Sequence, residues 1–127
     1  MSHFKNNSNF NSRLNTTTKI KEKYPEKVPI YVSFDKNIEI AEPIEEQYNR
    51  YIVTSTLSLI QFIAIVRKKI KVASNEALTF FIEIYKNDKL KETVLVPAST
   101  TISEVYGKYK DTDGFLYIRA VKENVFG

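Results

Sequence analysis

Between Ser58 and Lys71 the apolar residues recur at a helical interval. Leu59, Ile63, Val66 and Ile70 stand at i, i+4, i+7 and i+11, which at roughly 100° per residue places them on one stripe. The pattern predicts the major packed helix of the chain, capped by Thr56 or Ser58 and running to about Lys69. Arg67, Lys68 and Lys69 fall where a helix dipole favours cations. Phe62 lies at the edge of the stripe, Ile65 well round the side and Ile60 on the opposite flank. So wide an arc has two readings: a helix buried on two sides, or a surface groove beside it lined by Phe62 and Ile65.

The remaining pattern places other elements around this helix. A polar, Asn-rich stretch over residues 1–9 predicts a mobile start. Phe10 to Lys23 carries a weaker helical signal, stopped by Pro25. Val28–Phe34 and Arg50–Thr54 alternate as strands, separated by an acidic loop over Asp35–Gln47. Leu78–Tyr85 predicts a third strand, Lys86–Glu92 a charged turn, and Val94–Val96 a short strand. Thr101–Tyr109 reads as a short helix, Asp111–Gly114 as a turn, Phe115–Val121 as the last strand, and Lys122–Gly127 as a tail. Strands alternating with one packed helix predict an α+β domain with a mixed sheet. That order fits a ubiquitin-like β-grasp with an N-terminal helical extension.

Composition narrows the chemistry. The chain has 127 residues, enough for one domain, and 43% hydrophobic residues, enough for one core. With no cysteine it has no disulfide, no thiolate metal site and no thiol nucleophile. Its single histidine, His3, sits in the polar N-terminal stretch, so neither a metal site nor a Ser/His pair is expected. Three glycines, Gly107, Gly114 and Gly127, leave no glycine-rich phosphate loop. Glu45 with Glu46, and Asp111 with Asp113, read as solvated loop and turn residues rather than catalytic pairs. No enzyme and no cofactor is expected. The net charge of +4 suits an acidic peptide or an anionic membrane and is too modest to argue for nucleic acid. The most apolar run, Leu57–Val66, is far shorter than the ~20 residues of a spanning helix, and no secretory signal is seen at the N-terminus. A cytoplasmic protein is expected, with any membrane attachment acquired.

Two features have binding potential. In Arg50–Thr54, alternation sends Tyr51 and Ile52 to opposite faces. An open edge there suits strand addition by an extended peptide, or is simply an ordinary edge. The chain also ends Phe126–Gly127. A terminal glycine carboxylate has no Cβ beside it, so a narrow enzyme site can reach it for acyl transfer.

Three stretches, in order, resemble the GABARAP family of autophagy modifiers, over Phe10 to Gly127. They are Lys19–Ile30, with its Tyr24-Pro25 and Val28-Pro29; Arg50–Val53 leading to Gln61-Phe62 and Val66–Ile70; and Asp113–Ile118, followed by Val125-Phe126-Gly127. The resemblance implies a flexible tail and helical extension over 1–26 and a ubiquitin-like domain with a conjugation tail over 27–127. It implies activation at Gly127 as an adenylate, passage through thioesters on activating and conjugating enzymes, and an amide to phosphatidylethanolamine on the autophagosome membrane. Cargo receptors and adaptors would then dock by short aromatic-x-x-aliphatic motifs. By position the aromatic pocket would be Ile20, Pro29, Tyr31, Arg50, Ile52 and Phe115. The aliphatic pocket would be Tyr51, Val53, Leu57, Phe62 and Ile65, with Lys27 and Arg67 as basic contacts. The chain departs from the family pattern at Thr16, Tyr31, Tyr48, Asn49, Thr54 and Thr56. Conjugation to a protein lysine, and an unconjugated peptide-binding module, stay open as alternatives.

Overall fold

The computed structural model describes residues 5, 8–36, 38–40, 49–73 and 75–124, apart from the side chains of Ile40 and Asn124. In chain order the elements are α1 (Phe10–Lys23), β1 (Lys27–Phe34), β2 (Glu39–Ile40), β3 (Arg50–Thr54), α2 (Leu59–Arg67), β4 (Ile70–Lys71), β5 (Glu76–Lys86), β6 (Lys89–Val94), α3 (Ile102–Tyr109) and β7 (Leu116–Asn124). Five strands form one sheet in the order β3-β1-β7-β5-β6. Its central pair, β1 and β7, is parallel, and the other neighbours are antiparallel. This mixed sheet, curled round α2, is the ubiquitin-like α+β arrangement that the element order predicted.

The core lies between α2 and one face of the sheet. Val28, Ile30 and Val32 of β1 alternate inward and meet Leu78, Phe80 and Ile82 of β5, with Leu116, Ile118 and Ala120 of β7. Leu59, Phe62 and Val66 of α2 close over them, and Ile102 and Val105 of α3 complete one end. Phe62 stacks edge-on against both Tyr51 and Phe80, at 5.2 and 5.7 Å between ring centres. The inward line of α2 therefore runs through Phe62, not Ile63, which is only partly buried. Phe62 is wholly shut from solvent (0% exposed), so the wide apolar arc is mainly a core face. Ile60 is the exposed exception.

Local signals explain most boundaries. Ser58 accepts a bond from Gln61 N while the Gln61 side chain accepts from Ser58 N, a reciprocal cap that starts α2. Thr101 caps α3 by accepting from Glu104 N. α2 is shorter than its periodicity implies, because Ile70 leaves the helix to pair with Ile40. The longest described helix is instead α1, with the Phe10–Lys23 limits that its weak pattern predicted. The expected loop after Asp35 contains β2, and residues 41–48 lie outside the described ones. The expected turn over Lys86–Glu92 is mostly strand. It is confined to Asn87 and Asp88, both at positive φ, as a tight hairpin requires. The exposed, charged edge of β6 mimics a turn in sequence. β7 likewise extends to Asn124, because Lys122 to Asn124 pair with Leu78 to Glu76.

The other face of the sheet carries a smaller aromatic cluster, Tyr31, Phe115 and Tyr117, with Tyr85 against it. α1 is fastened at the turn that leads into Phe115. Asp113, expected to be solvated, is fully buried and paired with Arg13 of α1. Lys5, within the stretch expected to be mobile, is buried too. Its ammonium bonds Asp88 and Asp111 and lies over the Tyr85 and Tyr117 rings.

Candidate functional site

β3 is the edge of the sheet, and among the described residues it pairs only with β1. Its burial alternates strictly: Arg50, Ile52 and Thr54 are exposed, while Tyr51 and Val53 are buried. Ile52 is the most open apolar side chain on it, at 44% exposed. An unpaired edge with an exposed aliphatic residue between polar ones can take an extended peptide through backbone hydrogen bonds.

The expected pocket residues fall into two groups, one on each side of this edge. On the outer face Ile52 stands across from Pro29, and Arg50 across from Tyr31. Tyr31 and Phe115 lie in the same aromatic cluster, and Ile20 is half-buried on α1. Tyr31 and Phe115 are themselves almost fully buried, so they form floor rather than rim. Lys27 opens β1, with its ammonium over the Tyr24 ring. On the helix side Leu57 and Ile65 are half-buried and pack on the core.

Three residues expected in the aliphatic pocket, Tyr51, Val53 and Phe62, are buried in the main core on which Leu57 and Ile65 pack. For Phe62 this corrects the groove-lining expectation: its ring supports Tyr51 from beneath. Arg67, the second basic contact, is half-buried and donates to the Glu76 carbonyl at 3.4 Å. Lys69, which was not expected at this site, places its ammonium 4.8 Å from the centre of the Tyr51 ring. Burial raises the Tyr51 phenol above its ordinary pKa, and its hydroxyl has no hydrogen-bond partner among the described residues.

Sequence reasoning missed the polar cluster behind the outer group. The Asp113 carboxylate accepts bonds from Arg13 Nε at 2.8 Å, from the Tyr117 hydroxyl at 2.6 Å and from Phe115 N at 2.9 Å. Thr17 donates to the Asp113 carbonyl at 2.6 Å. Burial works against the Arg13 charge, but its bonds to Asp113 and Asp88 outweigh it, so the guanidinium is held more firmly charged than usual. Burial, then the Asp113 charge, pushes the Tyr117 phenol far up, so it stays a donor. One signal was available: Arg13 and Thr17 share a helix face with Ile20, so the face turned toward the domain carries an arginine.

Comparison with known proteins agrees with the architecture. The model of the family described as "Autophagy protein Atg8 ubiquitin like" matches residues 12–127. Autophagy-related protein 8e of Arabidopsis thaliana is 35% identical over 98% of this chain and 92% of its own length. Autophagy-related protein 8 of Schizosaccharomyces pombe is 33% identical over 99% of this chain and 94% of its own. The crystal structure of Trypanosoma brucei ATG8 superimposes with a TM-score of 0.75 at 32% identity, covering 100% of this chain and 99% of that one. The chain therefore belongs to the Atg8 family of ubiquitin-like autophagy proteins, which are modifiers and not enzymes.

Proposed function

We propose that this chain acts in the manner of the GABARAP branch, as a lipid-conjugated modifier that recruits receptors through the β3 edge. The observation that carries the docking half of this reading is Ile52, exposed on an edge strand whose outer side has no partner strand among the described residues. A receptor segment would extend the sheet along β3. Its aromatic residue would seat on the outer side, against Ile20, Pro29 and Ile52 with Tyr31 and Phe115 beneath. Its aliphatic residue would seat between Leu57 and Ile65, and its acidic flanks would meet Lys27, Arg50 and Arg67.

The conjugating half rests on Gly127, which lies outside the described residues. Its carboxylate would attack the α-phosphorus of ATP to form an adenylate, releasing pyrophosphate. An enzyme cysteine would displace AMP, and a second would take the acyl group by thioester exchange. The amine of phosphatidylethanolamine would then attack the thioester carbonyl, the C–S bond would break, and an amide would form as the thiol leaves. A protein made in the cytoplasm would in this way gain an anchor on the autophagosome membrane. No helix among the described residues is long and apolar enough to cross one itself.

The docking half is tested by titrating an acidic-flanked Trp-x-x-Leu peptide into the wild type and Ile52→Asp. Ile52 lies on an edge strand and is 44% exposed, so the variant should stay folded and lose about 1–2 kcal/mol of stability. It should bind at least about tenfold more weakly. Equal affinity for both proteins would move the docking site away from β3.

A further inference from the structure

We propose that Asp113 is a positioning residue for the aromatic half of the docking groove, fixing its helix wall against its strand wall. The inference rests on the docking reading above. The parts come from distant stretches of the chain: the helix wall, Ile20, from α1, and the strand side, with Tyr31 of β1 and Phe115 just before β7 as its floor. A groove built this way needs something that fixes the gap between them.

Asp113 does so with its carboxylate and its carbonyl, while its N–H stays within the turn on Asp111 Oδ2. Its Oδ2 takes Arg13 Nε from α1 and the Tyr117 hydroxyl from β7. Its Oδ1 takes the backbone N–H of Phe115, which orients the start of the strand wall. Its carbonyl takes the Thr17 hydroxyl, one turn along α1 from Arg13. Both the carboxylate and the guanidinium are removed from solvent, so the bonds are short, charge-assisted and slow to exchange with water.

Each bond reaches the groove through a rigid path. Arg13, Thr17 and Ile20 stand four and three residues apart on one helix face, and about 4.5 Å of helix separates Thr17 from Ile20. The rotation of α1 that Arg13 and Thr17 select is therefore the rotation that aims Ile20. On the sheet side, the Tyr117 ring lies 6.0 Å from Tyr31 and 6.1 Å from Phe115. Holding its hydroxyl holds both rings beneath the pocket. Among the described residues α1 is also linked by Arg13 to Asp88 and by Lys21 to the Lys27 carbonyl at the start of β1. Neither bond goes to Tyr31, Phe115 or Tyr117.

The aliphatic half has no such dependence, since Leu57 and Ile65 come from α2 and the segment before it. That separation makes the inference testable in the full-length chain. The probes are three synthetic peptides: an acidic-flanked Trp-x-x-Leu, its Trp→Ala variant and its Leu→Ala variant. Each is titrated calorimetrically into the wild type, Asp113→Asn, Thr17→Val and Tyr117→Phe. The first substitution removes the charge; the milder two each remove one hydroxyl, so the test survives if Asp113→Asn does not fold.

The expected result is that the affinity ratio for Trp over Ala falls by about tenfold in Asp113→Asn and less in the milder two. The ratio for Leu over Ala should stay at the wild-type value in all. A purely structural role would lower both ratios together or neither, and either outcome overturns the inference while leaving the docking reading intact. A wild type that fails to bind the parent peptide overturns the docking reading, and this inference with it.

Discussion

A Cβ placed on Gly114 would lie 2.3 Å from the Thr17 hydroxyl oxygen. Helix α1 thus meets the 111–114 turn at a distance that only glycine allows. Gly114 also holds φ +92, where a side chain is strained in any surroundings. Gly114→Ala should therefore cost about 1–3 kcal/mol from backbone strain alone, and more from displacing Thr17. Thr17 Cβ would itself lie 2.7 Å from the new methyl, so urea unfolding of the single variant and of Gly114→Ala with Thr17→Gly, each against its own Gly114 parent, separates the two. The double variant should recover the steric part and keep the strain. Full recovery would place the whole cost in the contact.

Phe62 and Ile65 lie three residues apart on α2 and should behave differently. Phe62 has no exposed surface and holds Tyr51 and Phe80, so Phe62→Ala should cost about 3–5 kcal/mol of stability. Ile65 is half-buried, and Ile65→Ala should cost about 1–2 kcal/mol, below the range for a fully buried site. Ile65 is thus the usable probe of the aliphatic pocket. Denaturation curves for the two variants decide the point: equal losses would contradict this placement of Phe62.

Glu83 gives a pH dependence of defined sign. It is buried on the outer face of the sheet and accepts a hydrogen bond from the Tyr85 hydroxyl. Burial raises its pKa, and the Tyr85 bond and Arg119 only partly offset this. The folded chain thus holds this proton more tightly than the unfolded one, whose carboxyl titrates near ~4.3. The Glu83 contribution to stability is full below that value and declines as pH rises through the raised folded pKa. Glu83→Gln should therefore be more stable than wild type at pH 7, and the difference should vanish toward pH 4. A constant difference between those values would show that the carboxyl is not buried in its charged form.

Much of this was legible in the sequence where the cause is local. The Phe10–Lys23 helix follows from its residues and from Pro25, and the face alternation of β3 from period two alone. The β3 limits were likewise readable from neighbours in the chain, and the cap of α2 was narrowed to Thr56 or Ser58, of which the structure uses Ser58. What escaped were consequences of tertiary packing. Asp111 and Asp113 sit in a turn, and nothing local says that Arg13 and Lys5, about a hundred residues earlier, cover them. Phe62 looked peripheral because an ideal stripe ran through Ile63. The helix instead points Phe62 at the ring partners Tyr51 and Phe80, which lie on two separate strands. β6 was hidden because an exposed edge strand is as charged as a turn.

The lipid amide proposed at Gly127 is tested most directly by mass spectrometry of the chain. The chain is incubated with the activating and conjugating enzymes of an Atg8 pathway, ATP and phosphatidylethanolamine liposomes. A second Atg8 protein conjugated in parallel serves as control, and Gly127→Ala as the blocked variant. The account predicts a lipid-sized mass increase mapped to Gly127 in the wild type and none in Gly127→Ala. An unmodified wild type beside a conjugated control, or lipid on Gly127→Ala, would contradict it.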